Sequence, residues 1–71
     1  MKVEITKKEG GFVIRSEGFH VEIHPDKSGG VIVCFFGKPP RKLKYVVEKN
    51  KNLFVNLDIA KILICNEISR L

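Results

Sequence analysis

The chain has 71 residues and a formal net charge of +5, with 44% hydrophobic and 30% charged residues. This composition excludes a disordered chain and indicates a single small domain over residues 1–71, which buries only about 60% of the surface that its unfolded chain exposes. The longest apolar run has six residues, far fewer than a membrane-spanning helix needs, and no secretory leader is recognisable, so we expect a cytoplasmic protein.

The first two dozen residues alternate apolar and polar positions, which predicts a three-stranded antiparallel meander. Glu9-Gly10 and Glu17-Gly18 separate the segments, and glycine tolerates the positive φ that tight hairpin turns require. Turns centred on these pairs place Ile5 opposite Ile14 and Ile14 opposite Val21. The predicted inner face comprises Val3, Ile5, Phe12, Ile14, Phe19, Val21 and Ile23. The predicted outer face comprises Glu4, Thr6, Lys8, Val13, Arg15, His20, Glu22 and His24. A shift of one residue would mix the two sets.

A loop over Pro25–Gly30 leads to Val31–Phe36, a segment that is apolar at every position. An antiparallel strand with one solvated face should alternate apolar and polar residues, and this strand does not. We therefore expect it to be covered on both faces, by a barrel interior, a helix or a second subunit.

The segments Leu43–Glu48 and Leu53–Leu57 predict a second hairpin around Asn50. In that register Tyr45 would face Val55 on an inner, apolar side. This hairpin would bring the predicted number of strands to five or six.

Residues 58–71 are compatible with two structures. Asp58 is a plausible helix N-cap and Arg70 suits a helix C-terminus. The apolar residues cover most of the circumference of such a helix, which would then have to be buried on most sides. The alternative is a buried strand over Ile62–Cys65. We favour the helix, and the predicted fold is therefore α+β: a small antiparallel sheet or partly open barrel of five to six strands with a C-terminal helix.

The residue types that carry chemistry do not form a catalytic or metal-binding motif. His20 and His24 share a strand face with Glu22, but their Cα atoms would lie roughly 13 Å apart, too far for both imidazoles to bind one ion. Cys34 and Cys65 lie in apolar runs without a neighbouring base or ligand, which favours buried free thiols. We expect no enzyme activity, no metal or other cofactor and no small-molecule substrate.

The positive charge is concentrated in one segment. Residues 38–51 hold six cations, and Glu48 is the only anion among them, so this segment alone carries +5, equal to the net charge of the chain. A cluster of cations suits a phosphate backbone, and an aromatic ring can stack on bases. Pro39-Pro40 would hold the segment extended. The predicted nucleic-acid contacts are Lys38, Arg41, Lys42, Lys44, Tyr45, Lys49 and Lys51.

Two functions therefore compete. The first is a small nucleic-acid-binding protein that contacts the backbone with little sequence selectivity. The second is a non-catalytic interaction module, most simply a homodimer joined through Val31–Phe36 or the C-terminal apolar segment. In the second case the lysines serve solubility and protect a sheet edge from aggregation. The high share of Lys and Glu is also found in proteins of heat-adapted organisms.

Overall fold

The computed structural model describes residues 2–50 and 56–71. Four strands come first: β1 (Glu4–Lys8), β2 (Gly11–Ser16), β3 (Phe19–Pro25) and β4 (Val31–Gly37). Two helices follow: α1 (Arg41–Asn50) and α2 (Leu57–Ser69). The strands form one antiparallel sheet in the order β1-β2-β3-β4. The architecture is α+β, as predicted.

Both predicted hairpin registers are confirmed. Ile5 pairs with Ile14, and Ile14 pairs with Val21. Gly10 and Gly18 adopt the positive φ values of 80° and 78° that the turns require. The pattern determined the pairing because a shift of one residue would have turned the apolar residues of β2 away from the helices.

The core lies between the sheet and the two helices, and we call the sheet surface turned away from the helices the open face. The buried cluster joins strand residues to one side of each helix. Its members are Ile14, Phe19, Val21, Ile23, Leu43, Val47, Ala60, Ile64 and Ile68. Two residues lie on their predicted faces but differ from the burial that those faces predict. Ile5 remains 50% exposed because it lies on an edge strand, whereas Val13, on the open face, is 1% exposed.

Two sequence predictions are wrong within the described residues, and a third is tested only in part. Leu43–Glu48 belongs to helix α1 and not to a hairpin strand. The described residues form four strands and not five or six, and of the two predicted forms, a small antiparallel sheet and a partly open barrel, the structure has the open sheet. Of the predicted partner strand, Leu53 to Val55 lie outside the described residues, and Leu57 begins α2.

Strand β4 is covered on one face and not on both. Val31, Val33 and Phe35 pack against the core cluster. Ile32 and Phe36 project from the open face and are 44% and 45% exposed. Among the described residues, only the core-facing side of β4 is therefore covered, because both helices lie on the same side of the sheet.

The C-terminal segment is the helix that the sequence favoured. Its N-cap is Asn56, whose side-chain oxygen accepts a hydrogen bond of 2.9 Å from the backbone N–H of Ile59. The predicted cap, Asp58, instead lies in the first turn. In the described parts of the chain, no helix combines the length and apolarity that crossing a bilayer would demand.

Candidate functional site

Helix α1 presents its cations to solvent. Leu43 and Val47 are buried, and Val46 and Asn50 are half-buried on the same side. This i, i+3, i+4, i+7 spacing is the apolar stripe of an amphipathic helix, at about 3.6 residues per turn. The remaining six residues are exposed: Arg41, Lys42, Lys44, Tyr45, Glu48 and Lys49. We call this exposed surface of α1 the basic face.

The predicted contact residues are brought together, although by a helix and not by a hairpin. Lys38 is exposed in the short connection that leads from β4 to α1. Five of the remaining predicted residues lie on the basic face, and Lys51 lies outside the described residues. Tyr45, which the hairpin prediction turned inward, is 61% exposed. Its ring lies beside Lys49, whose Nζ is 6.0 Å from the ring centroid.

No ion pair neutralises the basic face within residues 2–50 and 56–71. The ion pairs found there join Lys2 to Glu4 and Arg70 to Glu67, and the two histidines lie against Glu22. The carboxylates of the sheet therefore leave the α1 cations free to contact an external anion.

The first turn of α1 carries positive charge, whereas helices usually have negative charge in this position. Acidic residues are favoured there because the N-terminus of a helix carries a partial positive charge. The first turn of α1 has no acidic residue, and its first four residues include Arg41, Lys42 and Lys44. Pro39 and Pro40 precede it and offer no capping side chain, although the Pro40 carbonyl accepts the N–H of Lys44 at 3.2 Å. The helix N-terminus and three cations therefore add to one positive potential.

A shallow groove of about 570 Å³ adjoins this N-terminus. Phe35 of β4 and Pro39 form apolar parts of its wall, and Lys38, Arg41 and Lys44 supply charge. The sequence did not single out Phe35 or Gly37 as members of this site. The three-residue connection between β4 and α1 is what brings them beside the cations.

The histidine-bearing strand forms a separate feature on the open face. The Glu22 carboxylate lies between two imidazoles, 3.4 Å from His20 Nε2 and 3.0 Å from His24 Nε2. The His20 ring also stacks on Phe36, with centroids 4.8 Å apart and planes 10° from parallel. Among the described residues, no three His, Cys, Asp or Glu side chains lie close enough together to hold one metal ion.

Both cysteines are free and half-buried, on different elements. Cys34 is on the open face of β4, opposite Glu22. Cys65 is on α2, where burial raises the pKa of its thiol against a smaller opposing effect of Lys61. A raised pKa keeps the thiol protonated, which disfavours nucleophilic attack by Cys65.

No family model, curated protein or solved structure matches this chain.

Proposed function

We propose that this protein binds nucleic acid through the basic face of α1, mainly by contacts to phosphates. The observation that supports this best is the group of unpaired cations at a helix N-terminus that lacks any acidic residue. Positive charge at this position costs helix stability unless an anion binds there. A local arrangement that lowers stability without an evident structural gain is typical of a functional site.

The dimensions of α1 suit a phosphate backbone. A helix of ten residues is about 15 Å long at 1.5 Å per residue. One strand of a duplex presents a phosphate about every 3.4 Å along its axis, so α1 spans about four phosphates. Tyr45, exposed and adjacent to Lys49, is available to stack on an unpaired base. The described surface has no evident pattern for reading bases, so we expect little sequence selectivity.

Binding should depend steeply on salt. Neutralising about four phosphates of a duplex gives a slope of about −3.6 in a plot of log K against log salt, and a loss of about 100-fold between 50 and 200 mM. Fluorescence anisotropy with labelled duplex and single-stranded oligonucleotides, at both salt concentrations, measures this slope. A slope near zero would contradict backbone-led binding.

Charge reversal on α1 tests whether the basic face is the nucleic-acid-binding site. The variant Arg41→Glu/Lys42→Glu/Lys44→Glu should abolish binding. Loss of fold cannot explain that result, because acidic residues in the first turn complement the helix dipole and should stabilise α1. Circular dichroism checks that the helix is retained.

The matched control is a triple variant with the same change of net charge at residues outside α1. Lys2, Lys7 and Lys27 are exposed and lie outside α1, and replacing all three by Glu should change affinity only a few-fold. Unchanged affinity in the α1 variant would exclude the basic face as the site. An equal loss in both variants would show that only the net charge of the protein matters.

A further inference from the structure

Within the described residues, the outer edge of β4 lacks the charges, prolines and bulges that normally keep a sheet edge from pairing. The strand contains seven residues, no charge and no proline, and its register with β3 runs without a bulge. Among the described residues, no strand pairs with its outer side. The opposite edge is different: β1 has five residues, all exposed, among them Lys7 and Lys8. Short, lysine-bearing edges resist pairing with another chain, whereas long, apolar edges invite it.

The hairpin turns determine which backbone groups of β4 point outward. Ser16 and Phe19 close a two-residue hairpin, and such a closing pair exchanges both of its hydrogen bonds. Along a strand, the backbone N–H and C=O groups of successive residues point alternately to the two neighbouring strands. The backbone of Phe19 therefore forms hydrogen bonds with β2, and the backbone of His20 forms them with Phe36 of β4. Glu22 and Cys34 form the next such pair along the same ladder.

The turn that follows β3 supports this alternation. The Asp26 N–H donates to the Gly30 carbonyl at 2.9 Å, which continues the even-numbered ladder between β3 and β4. The odd-numbered residues of β4 therefore direct their N–H and C=O groups toward the outer edge. They are Val31, Val33, Phe35 and Gly37.

We propose that a second copy of this chain pairs antiparallel with β4 about a twofold axis at Cys34. In this register Val33 of each copy lies opposite Phe35 of the other, and Val31 lies opposite Gly37. Each of these pairs joins outward-pointing backbone groups, so the whole of β4 takes part. The two sheets become one continuous sheet, and the twofold axis closes the assembly as a dimer. This inference does not depend on the proposed function of α1.

The side chains are compatible with this register. On the open face, Ile32 of one copy lies opposite Phe36 of the other, two residues that are each nearly half exposed in the single chain. Apolar cross-strand pairs of this kind stabilise antiparallel sheets. At the axis, the two copies of Cys34 form a non-hydrogen-bonded pair, the type in which opposing Cα atoms approach to about 4.5 Å.

Charge also favours a second copy as the occupant. The strand itself carries no charge, so no charged side chains of β4 face each other across the axis. Continuing the register past β4 places the exposed Lys38 of one copy opposite Gly30 of the other, next to the turn that contains Asp26. Pairing of one edge buries less area than the roughly 1,600 Å² of a standard interface. We therefore expect a dimer that dissociates on dilution.

Cross-linking tests the register. With a diazene oxidant such as diamide, the two Cys34 thiols should give up their hydrogens to form one S–S bond while the reagent becomes the hydrazine. The protein with Cys65→Ser should yield a covalent dimer of twice 8.1 kDa on a non-reducing gel. The protein with Cys34→Ser should yield none. A covalent dimer formed through Cys65 and not through Cys34 would overturn the proposal.

Analytical ultracentrifugation tests whether β4 forms the dimer interface. The wild-type protein should approach twice its chain mass at high micromolar concentration, and added salt should change this only slightly because the paired strand is uncharged. Ile32→Lys introduces a charge into β4 at a side chain that is 44% exposed in the single chain. We expect this variant to be monomeric. The matched control is Ile62→Lys on α2, where the side chain is 53% exposed and outside the proposed interface. It should leave the dimer intact.

Two results would refute the pairing. One is a wild-type chain that stays monomeric at high micromolar concentration. The other is a dimer that Ile62→Lys dissolves and Ile32→Lys does not. That second result would assign the contact to the exposed apolar side of α2, where Ile59 and Leu63 flank Ile62.

Discussion

Glu22 shows how a single residue acquires its properties from its neighbours on the sheet. Desolvation on the sheet surface raises the pKa of its carboxyl. Hydrogen bonds from His24 and His20 and the charge of Lys8 outweigh this, so the pKa lies below its usual value of 4.5. The alternation of the sequence placed both histidines and Glu22 on one face, which is confirmed. It did not show that the carboxylate would bridge the two rings.

The lowered pKa predicts a pH-dependent contribution of Glu22 to stability. The folded state holds its proton less tightly than the unfolded chain, so stability from this group is present above the unfolded pKa and is lost as pH falls through the folded pKa. Glu22→Gln should therefore reduce the free energy of unfolding at pH 7, and the difference from wild type should shrink below pH 4.5. Urea unfolding at pH 7 and at about pH 3 measures this. A difference of equal size at both pH values would contradict it.

At the scale of elements, the strands were predictable and α1 was not. In β2 and β3 the apolar residues recur at every second position, and glycine-containing turns fix the ends. Leu43–Glu48 contains both periods, since Leu43, Tyr45 and Val47 alternate while Leu43, Val46 and Val47 follow helical spacing. Half-buried Asn50 continues the helical spacing and donates to the Val46 carbonyl at 2.9 Å. Each period matches three apolar residues, so counting matches does not decide between strand and helix in this segment.

The start of α2 is a second case in which sequence placed a helix correctly and its first residue wrongly. Asn56 caps the helix through its contact with the Ile59 N–H, and Asp58 lies in the first turn, where its charge complements the helix dipole. Asn56→Ala should lower the free energy of unfolding by about 1 kcal/mol. Asp58→Ala, the matched control, should cost about 0.5 kcal/mol. Chemical denaturation of both variants compares them, and a larger loss for Asp58→Ala would refute the assigned cap.

At the scale of the whole molecule, one layer of helices on one sheet face determines which apolar residues are buried. Helix α2 is apolar around most of its circumference, as the sequence showed, and that composition predicted burial on most sides. In the structure Ala60, Ile64 and Ile68 face the sheet, while Ile59, Ile62 and Leu63 remain partly exposed. A helix in a two-layer fold has only one side against the core.

A pair of substitutions on α2 measures this difference. Ile64 is 1% exposed and Ile62 is 53% exposed. Ile64→Ala should cost about 2–5 kcal/mol because it removes buried methyl groups and leaves a cavity. Ile62→Ala should cost less than about 1 kcal/mol, because its side chain is already half in water. Thermal and chemical unfolding at low protein concentration give both values, and similar losses would mean that the exposed side of α2 is covered in solution.

The sequence by itself determined the meander and its register, because these depend on alternation and turn residues that are close together along the chain. For the C-terminal segment it favoured a helix over a strand. It also located the positive charge in one segment. The tertiary structure decided that this segment is a helix, because its Leu43 and Val47 are needed to cover the sheet. Burying those two residues turns the cations of α1 to solvent together, so the arrangement of the basic face follows from the packing of the core.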